Sequence, residues 1–382
     1  MKQSTRKILY ASGCAMALGL ILSAAAYFGG AKISGVTFGP DGAHIANDTP
    51  QTLSREFPEG FRSLELSVED GNVEFVPSDR FGAEISSYDG DKFSCSVSDG
   101  TLTISDASLP RRSVWMNFDF GPQKQNTVRI LIPQNASLKD LKLRMGNGGA
   151  DLSAFSAEST DIQDRYGNLR ISDASCGAVS IKLGNGSGTL ENLSMKTLTY
   201  HNDYGNSSFE DVSVSDPQAA VISAESGGIS AGGFTAGSLS LTSTYGSIKL
   251  NRMKISRLVC TAKNGEMSLA DSTVETADLV NSYGGIETSG LDSNGLTVNG
   301  KNGSIRLAGT MKGKNDVHSD YGNIDVKTSL PQDQYTLGLS TEYGSVKVNG
   351  NKLNGSLVQP GSGKNGLTVS GKNGSVSVDF GK

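Results

Sequence analysis

Ser238 to Leu258 reads S-L-S-L-T-S-T-Y-G-S-I-K-L-N-R-M-K-I-S-R-L. Apolar residues alternate with polar ones on both sides of Tyr245-Gly246, a period of two that predicts short half-buried strands meeting at a bend. Glycine suits the bend because it takes positive φ and lets a second backbone lie close. The alternation turns Leu239, Leu241, Ile248 and Leu250 inward and leaves Lys249 in water.

The same unit recurs in both directions. A glycine preceded by Tyr, Asn or Ser stands at 167, 186 and 205, then at 227, 246, 265, 284, 303 and 322, so every step is 19 except for one of 22. Gly148 fits one such step before Gly167, and Gly344 and Gly374 continue the series with steps of 22 and 30. A constant period near 20 is the signature of a solenoid, here all-β, a β-helix of about 19-residue repeats. Leu239, Ile248 and Leu250 should stack on Leu258, Met267 and Leu269 one coil on.

A second regularity lies within the first. Tyr precedes the glycine at 166, 204, 245, 283 and 321, whereas Asn or Ser does so at 147, 185, 226, 264 and 302. Each coil holds either about 19 residues, with a broad ring alternating with a small group to relieve crowding, or about 38 residues, with a Tyr corner and an Asn corner. We favour the shorter coil. Tyr166, Tyr204, Tyr245, Tyr283 and Tyr321 either pack within the stack, the commoner use of aromatic rows in repeats, or form an exposed ladder that stacks on sugar rings.

Composition agrees with an all-β chain. Forty-eight Gly and 36% hydrophobic residues are too apolar for disorder and too turn-rich for helices. The net charge of −5, with Lys and Arg scattered among Asp and Glu, offers no basic stripe, so nucleic acid is excluded as a partner. Of the cysteines, Cys14 lies in an apolar stretch, and Cys95, Cys176 and Cys260 are too widely spaced for a disulfide framework or metal site. All three read as small buried hydrophobes.

Ile8 to Phe28 carries no charge and is long enough to span a membrane as one helix. Lys2, Arg6 and Lys7 before it hold the N-terminus in the cytoplasm and send the remainder outward. The expected location is the cell membrane, single-pass, with the C-terminal part extracellular; the alternative is secretion after signal-peptide cleavage near Ala24-Ala25-Ala26. Tyr10-Ala11-Ser12-Gly13 before Cys14 does not resemble a lipoprotein site. The chain then divides into 1–30, cytoplasmic tip and anchor; 31–55, a linker; 56–150, an irregular β region capping the first coil; and 151–382, the solenoid. In the cap, strands are expected at 63–68, 101–104 and 128–133, and an aromatic loop holds Trp115, Met116, Phe118 and Phe120. The loop packs as part of the cap or offers Trp115, Phe118 and Phe120 as a ligand-binding tip.

No catalytic set is visible. His44, His201 and His318 lack nucleophile or metal-ligand spacing, and His201 beside Asp203 reads as solvent-facing. Asp161, Asp164 and Asp173 fall near one repeat, as carboxylates do in β-helical polysaccharide lyases and hydrolases, yet solvated turns account for them. The glycine-rich stretches lack both the calcium-repeat pattern and the lysine of a phosphate loop, so no cofactor follows.

Val128-Arg-Ile-Leu-Ile-Pro133, then Leu138-Lys-Asp-Leu-Lys-Leu143, then the reiterated Tyr-Gly-Asn/Ser-Ile and Asn-Gly-Ser-Ile bends resemble the bacterial putative-adhesin family over about Phe57 to the C-terminus. That resemblance implies a solenoid-like surface protein with an adhesive role or an accessory role in envelope stress, and supplies no catalytic residues. The expectation is a membrane-anchored, non-catalytic binding or scaffolding surface for a cell-wall polymer, glycan or surface protein. A glycan-active β-helix enzyme is the alternative.

Overall fold

The computed structural model describes residues 50–88, 93–106, 116–118, 125–134, 136–217, 220–353, 355–361 and 363–381, with 36–39, 42–45 and a few positions between 10 and 21. From Ser63 onward it is a parallel β-solenoid. Ser137–Asn147 pairs in parallel with Ser156–Tyr166, residue 147 opposite 166, and Ala150–Ser153 pairs with Leu169–Asn185, residue 150 opposite 169. Both offsets equal the 19-step of the glycines, so one repeat makes one coil and the longer, two-repeat coil falls. The extra residues of the single longer step lie between Val214 and Ala220.

Each coil turns through positive φ at two corners. At one, Gly148, Gly186, Gly205, Gly227, Gly246, Gly265, Gly284, Gly303 and Gly322 take φ between 129° and 153°. At the other, Ala154, Asp173, Asn192, Asp211, Gly233, Arg252, Asp271 and Gly290 take φ between 46° and 63°. Alternate strand residues meet inside. One column, Leu143, Ile162, Ile181, Tyr200, Ile222 and Leu241, is buried throughout and continues through Cys260, Leu279, Val298 and Val317. Each buried side chain contributes about 1.5–3 kcal/mol by leaving water. Leu239 lies opposite Leu258, Ile248 opposite Met267 and Leu250 opposite Leu269, while Lys249 is exposed, as the alternation requires.

The two ends depart from sequence order. Asn365–Asn373 runs in parallel between Ile305–Tyr321 and Tyr335–Tyr343, and Val376–Gly381 runs between Ile324–Pro331 and Val346–Val348. The C-terminal coil is therefore inserted beneath the coil that precedes it in the chain, which explains the steps of 22 and 30. At the other end, Ser63–Asp70 and Asn72–Ser78 form a true coil, and Gly71 donates its N–H to Asn147 O like a corner glycine. Antiparallel strands close both ends: Phe93–Ser98 on Thr101–Asp106 and Gly82–Ser87 on Thr127–Pro133 at one, Leu357–Gln359 and Asn351–Leu353 at the other. Parallel edge strands that would otherwise recruit another chain are thereby covered.

The strands expected at 63–68, 101–104 and 128–133 are present as Ser63–Asp70, Thr101–Asp106 and Thr127–Pro133. Residues 31–55, read as a linker, contain more structure than that. Val36–Gly39 pairs with Gly42–Ile45, and Gln51–Glu56 joins the sheet against Gly82–Ser87. Cys95 and Cys260 are buried free thiols as expected, and burial raises the Cys260 thiol to about 12; Cys176 is free but only partly buried. No helix among the described residues is long and apolar enough to cross a membrane, and most of Ile8–Phe28 lies outside the described residues.

Candidate functional site: a tyrosine rib

The residue before each corner glycine ends a strand at the outer edge of its coil. Neighbours along the stack are Asn147, Tyr166, Asn185, Tyr204, Ser226, Tyr245, Asn264, Tyr283, Asn302 and Tyr321. Asn373 follows Tyr321 and Tyr343 follows Asn373. Along the chain Tyr321 and Tyr343 are consecutive corner residues, which breaks the alternation; the inserted coil restores it in space. The six tyrosines are between 52% and 65% exposed, so burial does not account for their rings. Tyr343, whose glycine continues the series in the sequence, is one of them.

Hydrogen bonds explain why coils alternate. Two residues before each tyrosine stands a polar side chain; in four coils it donates to a carbonyl of the glycine corner, whereas Ser319 Oγ, before Tyr321, is buried without a hydrogen-bond partner. Asn202 Nδ2 donates to Gly186 O at 3.1 Å and Gly205 O at 3.2 Å, and Asn281 Nδ2 to Gly265 O at 2.9 Å. Ser243 Oγ donates to Gly246 O at 3.1 Å, and Thr341 Oγ1 to Gly374 O, its neighbour only in space, at 2.7 Å. In the intervening coils the equivalent residues are Met145, Leu183, Ala224, Ala262, Gly300 and Gly371. Their asparagines reach back instead: Asn264 Nδ2 to Thr244 O at 3.1 Å, Asn302 Nδ2 to Ser282 O at 3.3 Å and Asn373 Nδ2 to Asp320 O at 3.4 Å.

Asp164 holds the inward position in the first tyrosine coil and differs from the rest. It is 3% exposed, accepts from the Tyr166 N–H at 3.2 Å, and its Oδ2 has no partner. Burial raises its carboxyl to about 6, against a hydrogen bond that lowers it. Asp161 instead binds Arg144 at 2.5 Å, and Asp173 accepts from Asn192 at the opposite corner at 2.6 Å. The three aspartates thus occupy three separate environments and do not converge.

Two tyrosines carry a histidine pair that the sequence displays as His-x-Asp-Tyr-Gly at 201–205 and 318–322. His201 bonds Asp203 Oδ1 through Nε2 at 2.6 Å and Ser223 Oγ through Nδ1 at 2.8 Å. His318 bonds Asp320 at 3.3 Å and Ser370 at 2.9 Å in the same way. Ser223 Oγ also lies 3.3 Å from Tyr200 O, to which it donates. The Ser223 hydroxyl thus has a backbone acceptor as well as the imidazole within reach. Both histidines are about one third to one half exposed, consistent with a solvent-facing place.

Trp115 and Phe120 lie outside the described residues, and of Phe118 only the pairing of Met116–Phe118 with Val36–Gly39 is described. A separate open depression of about 920 Å³ near the N-terminal end is lined by Phe57, Phe61 and Phe81, whose rings meet edge to face. No group of acidic, histidine or cysteine side chains suited to a metal occurs among the described residues.

Residues 61–231 and 217–379 each match the family model described as Toastrack DUF4097. The chain belongs to the Toastrack DUF4097 family. Solved structures similar to this Toastrack chain include a "putative adhesin" of Parabacteroides merdae, 12% identical, covering 68% of this chain and 97% of its own, with a TM-score of 0.38. A "putative adhesin" of Parabacteroides distasonis is 13% identical, with 68% and 98% covered and a TM-score of 0.38. A "putative lipid binding protein" from Parabacteroides distasonis is 16% identical, with 73% and 94% covered and a TM-score of 0.31. No curated protein matches the sequence.

Proposed function

We propose that the chain is a membrane-held, exported, non-catalytic solenoid that presents its tyrosine rib as a binding or scaffolding surface. The observation that carries this reading is identity held where packing does not demand it. Directly before the six exposed tyrosines the chain drifts through Arg165, Asp203, Thr244, Ser282, Asp320 and Glu342, yet the ring itself recurs each time. Aromatics left more than half exposed at every repeat bury only part of their surface in the fold and are the side chains that supply contact area to a partner. The partner class is a cell-wall polymer, glycan or surface protein. Anchorage rests on uncharged Ile8 to Phe28, whose described positions are helical and whose Tyr10, Met16, Leu18 and Ile21 are 62–73% exposed, as suits a helix surrounded by lipid.

The test is a binding screen of the full-length chain against cell-wall polymers, matrix proteins and glycans, with sugar release followed in the same wells. Saturable binding that the triple variant Y204A/Y245A/Y283A loses, without release of sugar, is the expected result. Release of sugar by the native chain overturns the non-catalytic reading. Binding unaffected in the triple variant removes the rib as the contact surface.

A further inference from the structure

The geometry points to one ligand for this rib: a single extended β-1,4-linked polysaccharide, laid along the stack with one disaccharide for every two coils. This rests on the rib being the binding surface, and commits that surface to a chemistry. Layers of a parallel β stack lie about 4.8 Å apart, so rings in every second coil recur at about 9.6 Å, and five such steps from Tyr166 to Tyr343 span about 48 Å. In a flat two-fold β-1,4 ribbon each sugar is turned over relative to the last, so the same pyranose face returns only at every second sugar, over nearly the same length. A ladder with a ring in every coil would meet the two pyranose faces alternately rather than one face throughout. An α-1,4-linked chain, which coils, cannot follow a straight row of rings.

The groups between the rings match the edges of that ribbon. Asn264, Asn302 and Asn373 use Nδ2 to hold their backbone neighbours, and no hydrogen bond within the described residues engages their Oδ1. Asp203 and Asp320, each steadied by a histidine, and Glu342 stand directly before rings. These acceptors suit sugar hydroxyls, which donate. A polyproline helix repeats at a similar length, about 9.3 Å per turn, but offers only carbonyl acceptors and would leave the carboxylates unmatched. Charge along the rib is mixed. Exposed Lys263, Lys301 and Lys372 alternate with Ser282, Asp320 and Glu342, so the row favours a neutral polymer over a strongly acidic one.

The experiment is calorimetric titration of the full-length chain with β-1,4-linked glucose oligomers, β-1,4-linked N-acetylglucosamine oligomers, α-1,4-linked glucose oligomers and a proline oligomer, each at increasing length. A β-1,4 series is expected to gain roughly tenfold in affinity for each added disaccharide, the scale of one aromatic contact. Whichever β series binds tells a plain glucan from an N-acetylated amino-sugar glycan. Tyr245→Ala and Tyr283→Ala should each lower affinity about tenfold, whereas Tyr245→Phe, which keeps the ring, should bind as the native chain does. An unchanged melting curve for each variant shows that the coil is intact. Equal binding of the α series, binding of the proline oligomer, or affinity indifferent to length overturns the assignment. Should all sugars stay silent while Y204A/Y245A/Y283A abolishes capture of a protein found in the screen above, the rib remains the contact surface and only the glycan falls.

Discussion

The two corners of each coil solve one backbone problem with different residues. Both turn through positive φ, yet one is glycine coil after coil, while the other is filled by Ala154, Asp173, Asn192, Asp211, Gly233, Arg252, Asp271 and Gly290. What lies opposite makes the difference. At the glycine corner an added Cβ would sit 1.6–2.3 Å from the carbonyl oxygen of the neighbouring coil's glycine, which is backbone and cannot move aside. At Gly233 and Gly290 the atom in the way is the carboxylate of Asp211 or Asp271, the free end of a side chain. A dihedral requirement alone costs a non-glycine residue about 1–2 kcal/mol and is tolerated. A backbone contact between layers is not.

Gly246→Ala puts this contrast to its largest test. The Cβ would meet Gly227 O at 2.0 Å at a φ of +153°, so we expect a loss of at least about 3 kcal/mol in urea denaturation. Gly366→Ala is the companion: nothing lies within 4 Å, its φ is ordinary, and the change should stay within about 0.5 kcal/mol. Similar losses for the two would mean that strand entropy, not close approach, selects glycine at the corner.

The same contrast explains how much of the molecule was legible in the sequence. The glycine corner repeats as a letter because only one letter fits, and the 19-residue period, the inward residues and the Tyr/Asn alternation all followed from it, while the choice between a coil of one repeat and a coil of two needed the strand register. The left-handed corner was invisible because Ala, Asp, Asn, Arg and Gly share no pattern. The order of the last coils was also hidden: steps of 22 and 30 give loop lengths but do not say that Asn373 enters between Tyr321 and Tyr343. That insertion sets Asn373 between the two tyrosines and so keeps their rings two coils apart. The inward polar column at Asp164, Asn202, Ser243, Asn281, Ser319 and Thr341 was readable in principle, since it keeps the two-coil period, but it looks like the polar half of a strand until the register shows it facing in. His-x-Asp-Tyr-Gly at 318–322, a repeat of 201–205, was a signal in plain sight.

A second test sharpens what the glycine corner asks of its neighbours. Asp164 holds a place where Asn202 and Asn281 donate to glycine carbonyls, and an ionised carboxylate has no proton to give. Its carboxyl ionises at about 6 in the fold against 3.8 for the ordinary group, so the folded state binds the proton more tightly than the unfolded one. Ionisation therefore costs stability, a cost absent below pH 3.8, growing as pH rises to about 6 and complete above it. Asp164→Asn removes this cost and should stabilise the chain by about 1–3 kcal/mol at neutral pH. The advantage should shrink towards zero in melts at pH below 3.8. An advantage independent of pH would show that the gain lies elsewhere.

The smallest expected effect isolates the dihedral requirement without the close contact. Ala154 sits at the left-handed corner with φ of 54°, its N–H held by Ser172 O at 3.1 Å, and it has neither the polar side chain of Asp173 and Asn192 nor the freedom of Gly233. An L-residue with a Cβ and no local hydrogen bond to repay it carries the steric cost of this region in full. Ala154→Gly relieves that strain but frees the unfolded chain, which takes back part of the gain, so the net change should be a stabilisation of about 0.5–1 kcal/mol. Urea midpoints resolve a change of that size. A destabilisation would mean that the Ala154 methyl is packed tightly enough to outweigh its backbone, and that the second corner is held by contacts, as the first is, rather than by φ alone.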